Sequence, residues 1–459
     1  MADNTDNVDR RSVLKLAGTG GLAAVSGCVG LSGNGGSDGG SSNTSGANAS
    51  GSNATGSTAS GSSSGSPETV VFGQPASLTG QWDFLQPGIS QATNAAVQGV
   101  NEAGGPLDAE LEVVRRDTAV SPQEARTVVT QLVQNDDVTA IIGLFSSELG
   151  PLFDFLQEQR TPVVTPWPGT PFLDTRGGDK NTPGDLSDDG WIWRTVVGDT
   201  VHTSGAALRA LDQGYETIGV INGSTEGARS YANAFITAYE DGDGTVASRV
   251  EVSLGQSSYQ SSLDRLFGND FGAFLVSMPL EDATTLLSDW ADGGYGRQPI
   301  LSDTLAQDDL IAQVGSDLNG AWVASPGQSG PNYDTMLNAY QNNGDAEINA
   351  WTPPAWDATQ ITALAVQRAG EASAEAVERN LGPVSRGEGV EVSTFAEGKE
   401  ALDNGEEINY VGASTPVNFT QFGNVFGSVA VNVAQGGEFA EEETISASEV
   451  REFAEDGEY

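Results

Sequence analysis

From residue 68 to about residue 435 the chain alternates short apolar runs with longer stretches whose apolar positions recur every three or four residues. The short runs fit buried strands and the longer ones fit helices that cover them. Residues 69–73 read as a strand and 88–103 as a helix, because Ile89, Ala92, Ala96, Val100 and Ala103 fall on one face. A strand at 111–114 follows. Ser121-Pro122-Gln123-Glu124 is a capping box with proline in the first turn, ahead of a helix carrying Ala125, Val128, Val129, Leu132 and Val133. Strands at 138–142 and 162–164 bracket a helix at 149–159. A second series places strands at 217–221, 248–252, 271–277 and 299–301, with helices at 228–239, 281–292 and 306–314. This alternation predicts an α/β protein with doubly wound parallel sheets, and its length predicts two lobes rather than one. Solutes bind such sheets at the loops leaving the carboxyl ends of strands, so two facing lobes would share a cleft.

Composition changes the picture at the surface. The 459 residues include 63 acidic and 20 basic side chains, a formal charge of -43, and only Lys15, Lys180 and Lys399 are lysines. That sign repels nucleic acid and anionic lipid, so no nucleic acid is expected as a partner. The acids are spread along the whole chain, a coat suited to molar salt, where charge is screened within roughly 3 Å. Cys28 and His202 are the only cysteine and histidine. No intramolecular disulfide, zinc cluster or Cys/His pair can be built around Cys28, and a sole histidine removes most metal and triad chemistry, so no metal, cofactor or enzymatic activity is expected. His202 reads as a structural or solvated residue.

The front of the chain carries an address. Arg10 and Arg11 precede an apolar run at 16–25, and Val25-Ser26-Gly27 stands directly before Cys28. A twin arginine followed by a short apolar run has the parts of an export signal for folded proteins. The small residues before Cys28 resemble a lipobox, in which cleavage exposes the cysteine for lipidation. The run is too short to span a membrane. Residues 1–28 are thus read as the signal. Residues 29–67, almost purely Gly, Ser, Asn, Thr and Ala, are read as a flexible tether with N-glycosylation sequons at Asn43, Asn48 and Asn53. The expected place is the extracytoplasmic face of the cell membrane, lipid-anchored.

The order of elements and a collinear set of short motifs then point to a family. Ser77-Leu78-Thr79-Gly80-Gln81-Trp82, Val100-Asn101-Glu102-Ala103-Gly104-Gly105, Arg116-Asp117-Thr118 and Ala140-Ile141-Ile142-Gly143 with Ser146-Ser147 come first. Thr165-Pro166-Trp167-Pro168-Gly169-Thr170, Trp193-Arg194-Thr195 with Asp199, Trp356-Asp357-Ala358 and Tyr410-Val411-Gly412 follow. Together they resemble the leucine/isoleucine/valine-binding receptors of ABC importers, with the type 1 periplasmic-binding fold, here in a haloarchaeal-like lipoprotein. The resemblance implies a receptor that closes on a small ligand by hinge bending and hands it to ABC permease subunits. It implies two lobes, 68–196 plus 326–412 and 197–325 plus 413–435, with chain crossings near 196–199, 322–326 and 412–417, and an acidic tail at 436–459.

By position, the resemblance implies that Ser146 and Ser147 at a helix start take a ligand carboxylate, where free N–H groups favour an anion. The Thr165 to Thr170 loop, including Trp167 and Gly169, contributes backbone groups. Trp82 forms an apolar wall, and Asp303 pairs with a ligand ammonium from the other lobe. Glu226 stands where the family has an aromatic residue, and Trp167 and Pro168 replace small ones. Each position has a plainer alternative: Ser147 and Thr170 as helix N-caps, Trp82 as core, Asp303 as cap of the helix near 306, Glu226 as a solvated loop acid. The implied ligand is a branched-chain or other amino acid. An amide or urea-like ligand and an extracytoplasmic sensor are the alternatives, with a secreted hydrolase least favoured.

Overall fold

The computed structural model describes residues 67–80, 82–174, 176, 190–327 and 330–455, apart from the side chains of Glu226 and Glu455. Arg10, Arg11, Cys28 and nearly all of the expected tether lie outside the described residues.

The chain opens with β1 (Thr69–Ala76), α1 (Gln86–Glu102), β2 (Glu110–Asp117), α2 (Pro122–Gln134), β3 (Ala140–Ile141), α3 (Ser146–Gln159), β4 (Val163–Thr165) and β5 (Ile192–Arg194). These strands pair in parallel in the order β2-β1-β3-β4-β5, the sheet of lobe 1. The chain crosses to lobe 2 for α4 (Asp199–Asp212), β6 (Thr217–Gly223), α5 (Glu226–Asp241), β7 (Thr245–Val252) and α6 (Gln260–Phe267). Lobe 2 continues with β8 (Ala273–Ser277), α7 (Leu280–Gly293), β9 (Gln298–Leu301), α8 (Asp308–Val314) and β10 (Trp322–Pro326). Back in lobe 1 come α9 (Tyr333–Asn343), α10 (Thr352–Ala369), α11 (Ala374–Leu381), α12 (Pro383–Arg386), β11 (Val390–Val392), α13 (Phe395–Asp403) and β12 (Ile408–Tyr410). Lobe 2 is completed by β13 (Val429–Gln435), β14 (Glu438–Ile445) and α14 (Ala447–Glu455). Its sheet runs β14-β13-β10-β9-β8-β6-β7, parallel except for the antiparallel pairs that β13 makes with β10 and β14.

Local chemistry sets the element ends. Ser121 caps α2 by accepting the Glu124 N–H, and Thr225 caps α5 through the Ala228 N–H at 3.3 Å. Helix α10 is buried from Thr352 to Val366 and runs through the core of lobe 1 with Phe72, Val164, Trp193 and Phe419. A helix buried on all sides has no stripe for a periodicity search to find.

Three segments join the lobes: 195–198, the stretch after Pro326 and the stretch before Val429. The third crossing, expected near 412–417, lies later. Val417, Phe419 and Val425 pack in the lobe 1 core, and Gly423 accepts the Arg194 N–H at 2.8 Å beside β5. The Gly327 N–H then donates to the Ser428 carbonyl at 2.7 Å, tying two crossings together. What precedes that crossing is held by one buried carboxylate. Asp357 on α10 accepts from the Tyr410 hydroxyl at 2.8 Å, the N–H groups of Ala413 and Ser414 at 2.7 and 2.8 Å, and the Ser414 hydroxyl. Burial pushes this carboxyl above the usual range, and those hydrogen bonds oppose the shift.

Residues 438–455, expected as part of an acidic tail, instead form the edge strand β14 and the helix α14. Phe439, Ile445, Val450 and Ala454 are buried while the glutamates of β14 face solvent. One wet face made the segment read as a tail.

Candidate ligand-binding site

Each parallel sheet reverses its strand order at one place: between β1 and β3 in lobe 1, and between β6 and β8 in lobe 2. Loops leaving such a switch point run apart and open a crevice at the carboxyl ends of the strands. The loops after β1, β3 and β4 form one side of the candidate site. The loop after β6, the turn after β9 and the start of α4 form the other.

On the lobe 1 side, Asp117 at the end of β2 organises the β1 loop, accepting the N–H groups of Leu78, Thr79 and Ala119 and the Thr79 hydroxyl at 2.6 Å. Burial alone would raise its carboxyl, but the Thr79 hydroxyl and these N–H groups bring it below the usual range. Trp82, in this loop, is not core: it is 39% exposed and tilts against Phe84 at 6.1 Å.

Helix α3 starts at Ser146, three residues before the expected start, with Phe145 at the N-cap. Ser146 and Ser147 are therefore its first two residues, both exposed, and Ser147 is not the cap. Glu148 reaches back to the Phe145 N–H at 2.8 Å, and burial pushes its carboxyl up. The Glu148 N–H donates to the Phe145 carbonyl at 3.0 Å, while the exposed Ser146 and Ser147 bring two hydroxyls to a helix start, the kind of place that receives anions.

The β4 loop is more structural than the resemblance implies. Thr165 is fully buried; its hydroxyl donates to the Leu144 carbonyl at 3.0 Å and its carbonyl accepts the Thr195 N–H. Trp167 packs on Phe145 with ring centroids 4.3 Å apart and is 4% exposed. Its indole N–H has no partner among the described residues. Thr170 caps the turn Pro171–Leu173 through the Phe172 N–H, the plainer of its two readings. Arg194, buried at the end of β5, donates to the carbonyls of Gly169 and Thr170 at 3.2 and 3.1 Å and pairs with Asp174.

At Gly169 the lobes touch. Its carbonyl accepts the Asp199 N–H at 2.7 Å, and a Cβ there would lie 2.0 Å from Asp199 Oδ1. Asp199 opens α4, and His202 follows one turn later, 1% exposed. The His202 Nε2 stands 3.9 Å from Asp303 Oδ2. Asp303 begins the short turn Asp303–Leu305, and its Oδ1 accepts the Thr304 N–H at 2.8 Å. It does not cap the next helix, which starts at Asp308 behind Gln307. Glu226 is the first residue of α5, at the lip of the β6 loop, and its side chain lies outside the described residues. Burial raises the Asp199 carboxyl to about 6, with Asp303 and Asp174 adding to the shift and His202 and Arg194 opposing it.

The structure thus brings together Gly169, Asp199, His202 and Asp303, and adds Tyr231 of α5 beside His202. Asp199 stood in a quoted motif, yet its place against Gly169 depends on the crossing. Tyr231 had no sequence signal, because it sits on the buried stripe of a helix like any core residue.

Comparison with known proteins identifies the family and the fold. The family described as "Periplasmic binding protein" matches residues 69–402. The leucine-, isoleucine-, valine-, threonine-, and alanine-binding protein of Pseudomonas aeruginosa is 23% identical over 296 residues, covering 62% of this chain and 74% of that protein. The chemotactic signal transduction system substrate-binding protein BasB of Halobacterium salinarum is 25% identical over 370 residues, 78% of this chain and 84% of its own. Among solved structures, a leucine binding protein from Thermotoga maritima superposes with a TM-score of 0.59 at 18% identity, over 82% of this chain and 98% of that one. A solute binding protein from Rhodopseudomonas palustris in complex with p-hydroxybenzoic acid does so with 0.59 at 15%, over 83% and 97%. The two structures share the fold. With the family profile spanning most of both lobes, the chain belongs to the periplasmic binding protein family and has its type 1, two-lobed fold.

Proposed function

We propose that the protein is the extracytoplasmic receptor of an ABC importer, binding an amino acid or close relative between its lobes and delivering it to permease subunits. One observation carries this reading. The exposed start of α3, which suits a carboxylate, lies on one side of the crevice, and the Asp199–His202–Asp303 group, which suits a cation, lies on the other. Ser146 and Ser147 hold the acid end, Asp303 the amine, and Trp82 shields the mouth. Family members bind solutes rather than transform them, and no enzymatic role is assigned here. Twin-arginine export through Arg10 and Arg11 and lipidation at Cys28 would hold the receptor at the outer membrane face. No helix among the described residues is long and apolar enough to cross a membrane.

An aromatic acid is the second reading. A structural neighbour holds p-hydroxybenzoic acid, and a carboxylate end would use the same helix start. A sensory role is a third, because BasB is a substrate-binding protein of chemotactic signalling. The test is calorimetry in molar salt with amino acids, aromatic acids, amides and urea. An amino acid should bind, and Ser147→Ala should weaken it about tenfold or more, the size of one hydrogen bond to a charged group. Heat from aromatic acids or amides alone would sink the amino-acid reading and keep the receptor.

A further inference from the structure

The turn after β4 is shared between the lobes. Arg194, 1% exposed at the end of β5, is a cation that burial would make costly without partners, and its guanidinium is spent on this turn. Its Nη1 donates to the carbonyls of Pro168, Gly169 and Thr170 at 3.4, 3.2 and 3.1 Å, and its Nη2 pairs with one oxygen of Asp174 at 2.5 Å. The other Asp174 oxygen accepts the hydroxyl of Thr200, which stands in the first turn of α4 and so belongs to lobe 2. One residue earlier, the Asp199 N–H donates to the Gly169 carbonyl at 2.7 Å. The Asp174 carbonyl accepts the Asn424 amide at 2.8 Å, and the Gly423 carbonyl accepts the Arg194 N–H at 2.8 Å. The turn 168–174 is thus fixed to the first crossing and to the chain that leads into the third.

These bonds decide what the turn does. The Gly169 and Thr170 carbonyls, which the resemblance offers to a ligand, are spent on Arg194 and Asp199. A ligand that took them would leave a buried guanidinium short of acceptors. The seat is tight, since a Cβ on Gly169 would lie 2.0 Å from Asp199 Oδ1. It is also dry: Thr200 is 5% exposed, and a hydrogen bond from a sheltered hydroxyl to a carboxylate is among the strong ones. Position completes the picture. The seat lies directly after the crossing at 195–198, so a rotation of lobe 2 moves it least, while the loops at the crevice mouth sweep furthest. A contact on the axis persists through closure; one far from the axis has to break.

We propose that the first turn of α4, seated on the turn 168–174, is the pivot on which the lobes close. Asp174 is its positioning residue, holding Arg194 of one lobe and Thr200 of the other. This rests on the receptor reading for the closure it guides. It gives Asp174 and Thr200 a role in setting the direction of closure, and with it the fraction of ligand-free molecules whose two crevice walls stand in register.

Pulsed electron spin resonance on the full chain in molar salt reads the distance between lobes. Spin labels go on Thr127→Cys of α2 and Glu281→Cys of α7, both exposed and in helices that begin beyond the crevice ends of β2 and β8. Cys28→Ser removes the only native thiol. Without added solute, Thr200→Val is expected to broaden the distance distribution, Thr200→Ser to keep the wild-type width, and Gly169→Ala to shift the mean by wedging the seat. A distribution that Thr200→Val leaves unchanged overturns the pivot even if the melting temperature falls, because the hydroxyl then only stabilises. Broadening shared by Thr200→Ser assigns the effect to packing and overturns the role of Asp174, and an unmoved mean in Gly169→Ala overturns the seat. Leucine and p-hydroxybenzoic acid are the solute probes, and whichever binds should narrow the wild-type distribution more than that of Thr200→Val; equal narrowing overturns the pivot. Silence toward every solute removes the receptor reading, while the ligand-free distributions still decide the pivot.

Discussion

At the scale of single residues, the site is governed by groups whose protonation the fold has shifted. Asp199 is the clearest, its carboxyl raised to about 6 by burial beside Asp303 and Asp174. A carboxyl with a folded value above its unfolded one binds its proton more tightly in the native state. Its contribution to stability is therefore greatest at low pH, declines as pH rises from about 4 through about 6, and is flat above that. Asp199→Asn should remove this decline. Thermal melts of wild type and variant across that window should differ by a curve falling toward pH 6, and parallel curves would refute the assignment. Asp117 contributes in the opposite sense, because hydrogen bonds from Thr79 and the neighbouring N–H groups hold its carboxyl low; measuring the difference between wild type and variant cancels it. Residue identity alone could not separate the two aspartates. Both stood in quoted motifs, and only the packed surroundings give one a lowered and the other a raised carboxyl.

At the scale of elements, the crossing after β12 shows what a motif was for. Tyr410, Gly412 and Asp357 were legible as signs of a family, but nothing in the string joined them. In the fold they are one joint, with the carboxylate of α10 gathering the Tyr410 hydroxyl and the next backbone N–H groups. Gly412 is part of that joint, since a Cβ would lie 2.4 Å from Val417 Cγ2 and 2.7 Å from Asp357 Oδ2. Gly412→Ala should destabilise the chain by about 1–3 kcal/mol through overpacking, read from urea melts in high salt. A neutral result would mean that the joint yields. Most strands and helices before residue 315 were readable because one side of each is wet or because a short apolar run stands between turns; β5, α4 and α6 were not among the expected elements, α4 because it is buried along most of its length. Helix α10 escaped because nearly every side of it is buried, and β14 escaped because its many glutamates outnumber two buried anchors, Phe439 and Ile445. Thr165 and Thr170 spend their hydroxyls on the scaffold, the first by reaching from β4 to the Leu144 carbonyl after β3 and the second on its own turn, and only the first depends on how distant segments pack.

At the scale of the whole molecule, two cores are wrapped in a coat carrying a formal charge of -43. Self-repulsion over such a surface reaches about 10 Å at 0.1 M salt and about 3 Å at 1 M. The melting temperature should therefore climb steeply between low and molar salt, while a control with neutral sucrose should not reproduce the climb; equal effects would point to excluded volume instead of charge. If an ammonium binds beside Asp303 as proposed, stability and ligand affinity should also part company here, because an enclosed charge is screened far less than the surface. The fold's crossings carry one more implication. Each lobe is assembled from stretches far apart in the chain: lobe 1 needs α10 in its centre, and the sheet of lobe 2 is not complete until β13 and β14 pair beside β10. A ribosome delivers those pieces in the wrong order for either half to finish alone. During synthesis, residues 199–326 must wait with an open sheet edge until residues 429–445 have been made, so maturation is tied to a nearly whole polypeptide rather than to domains emerging one by one.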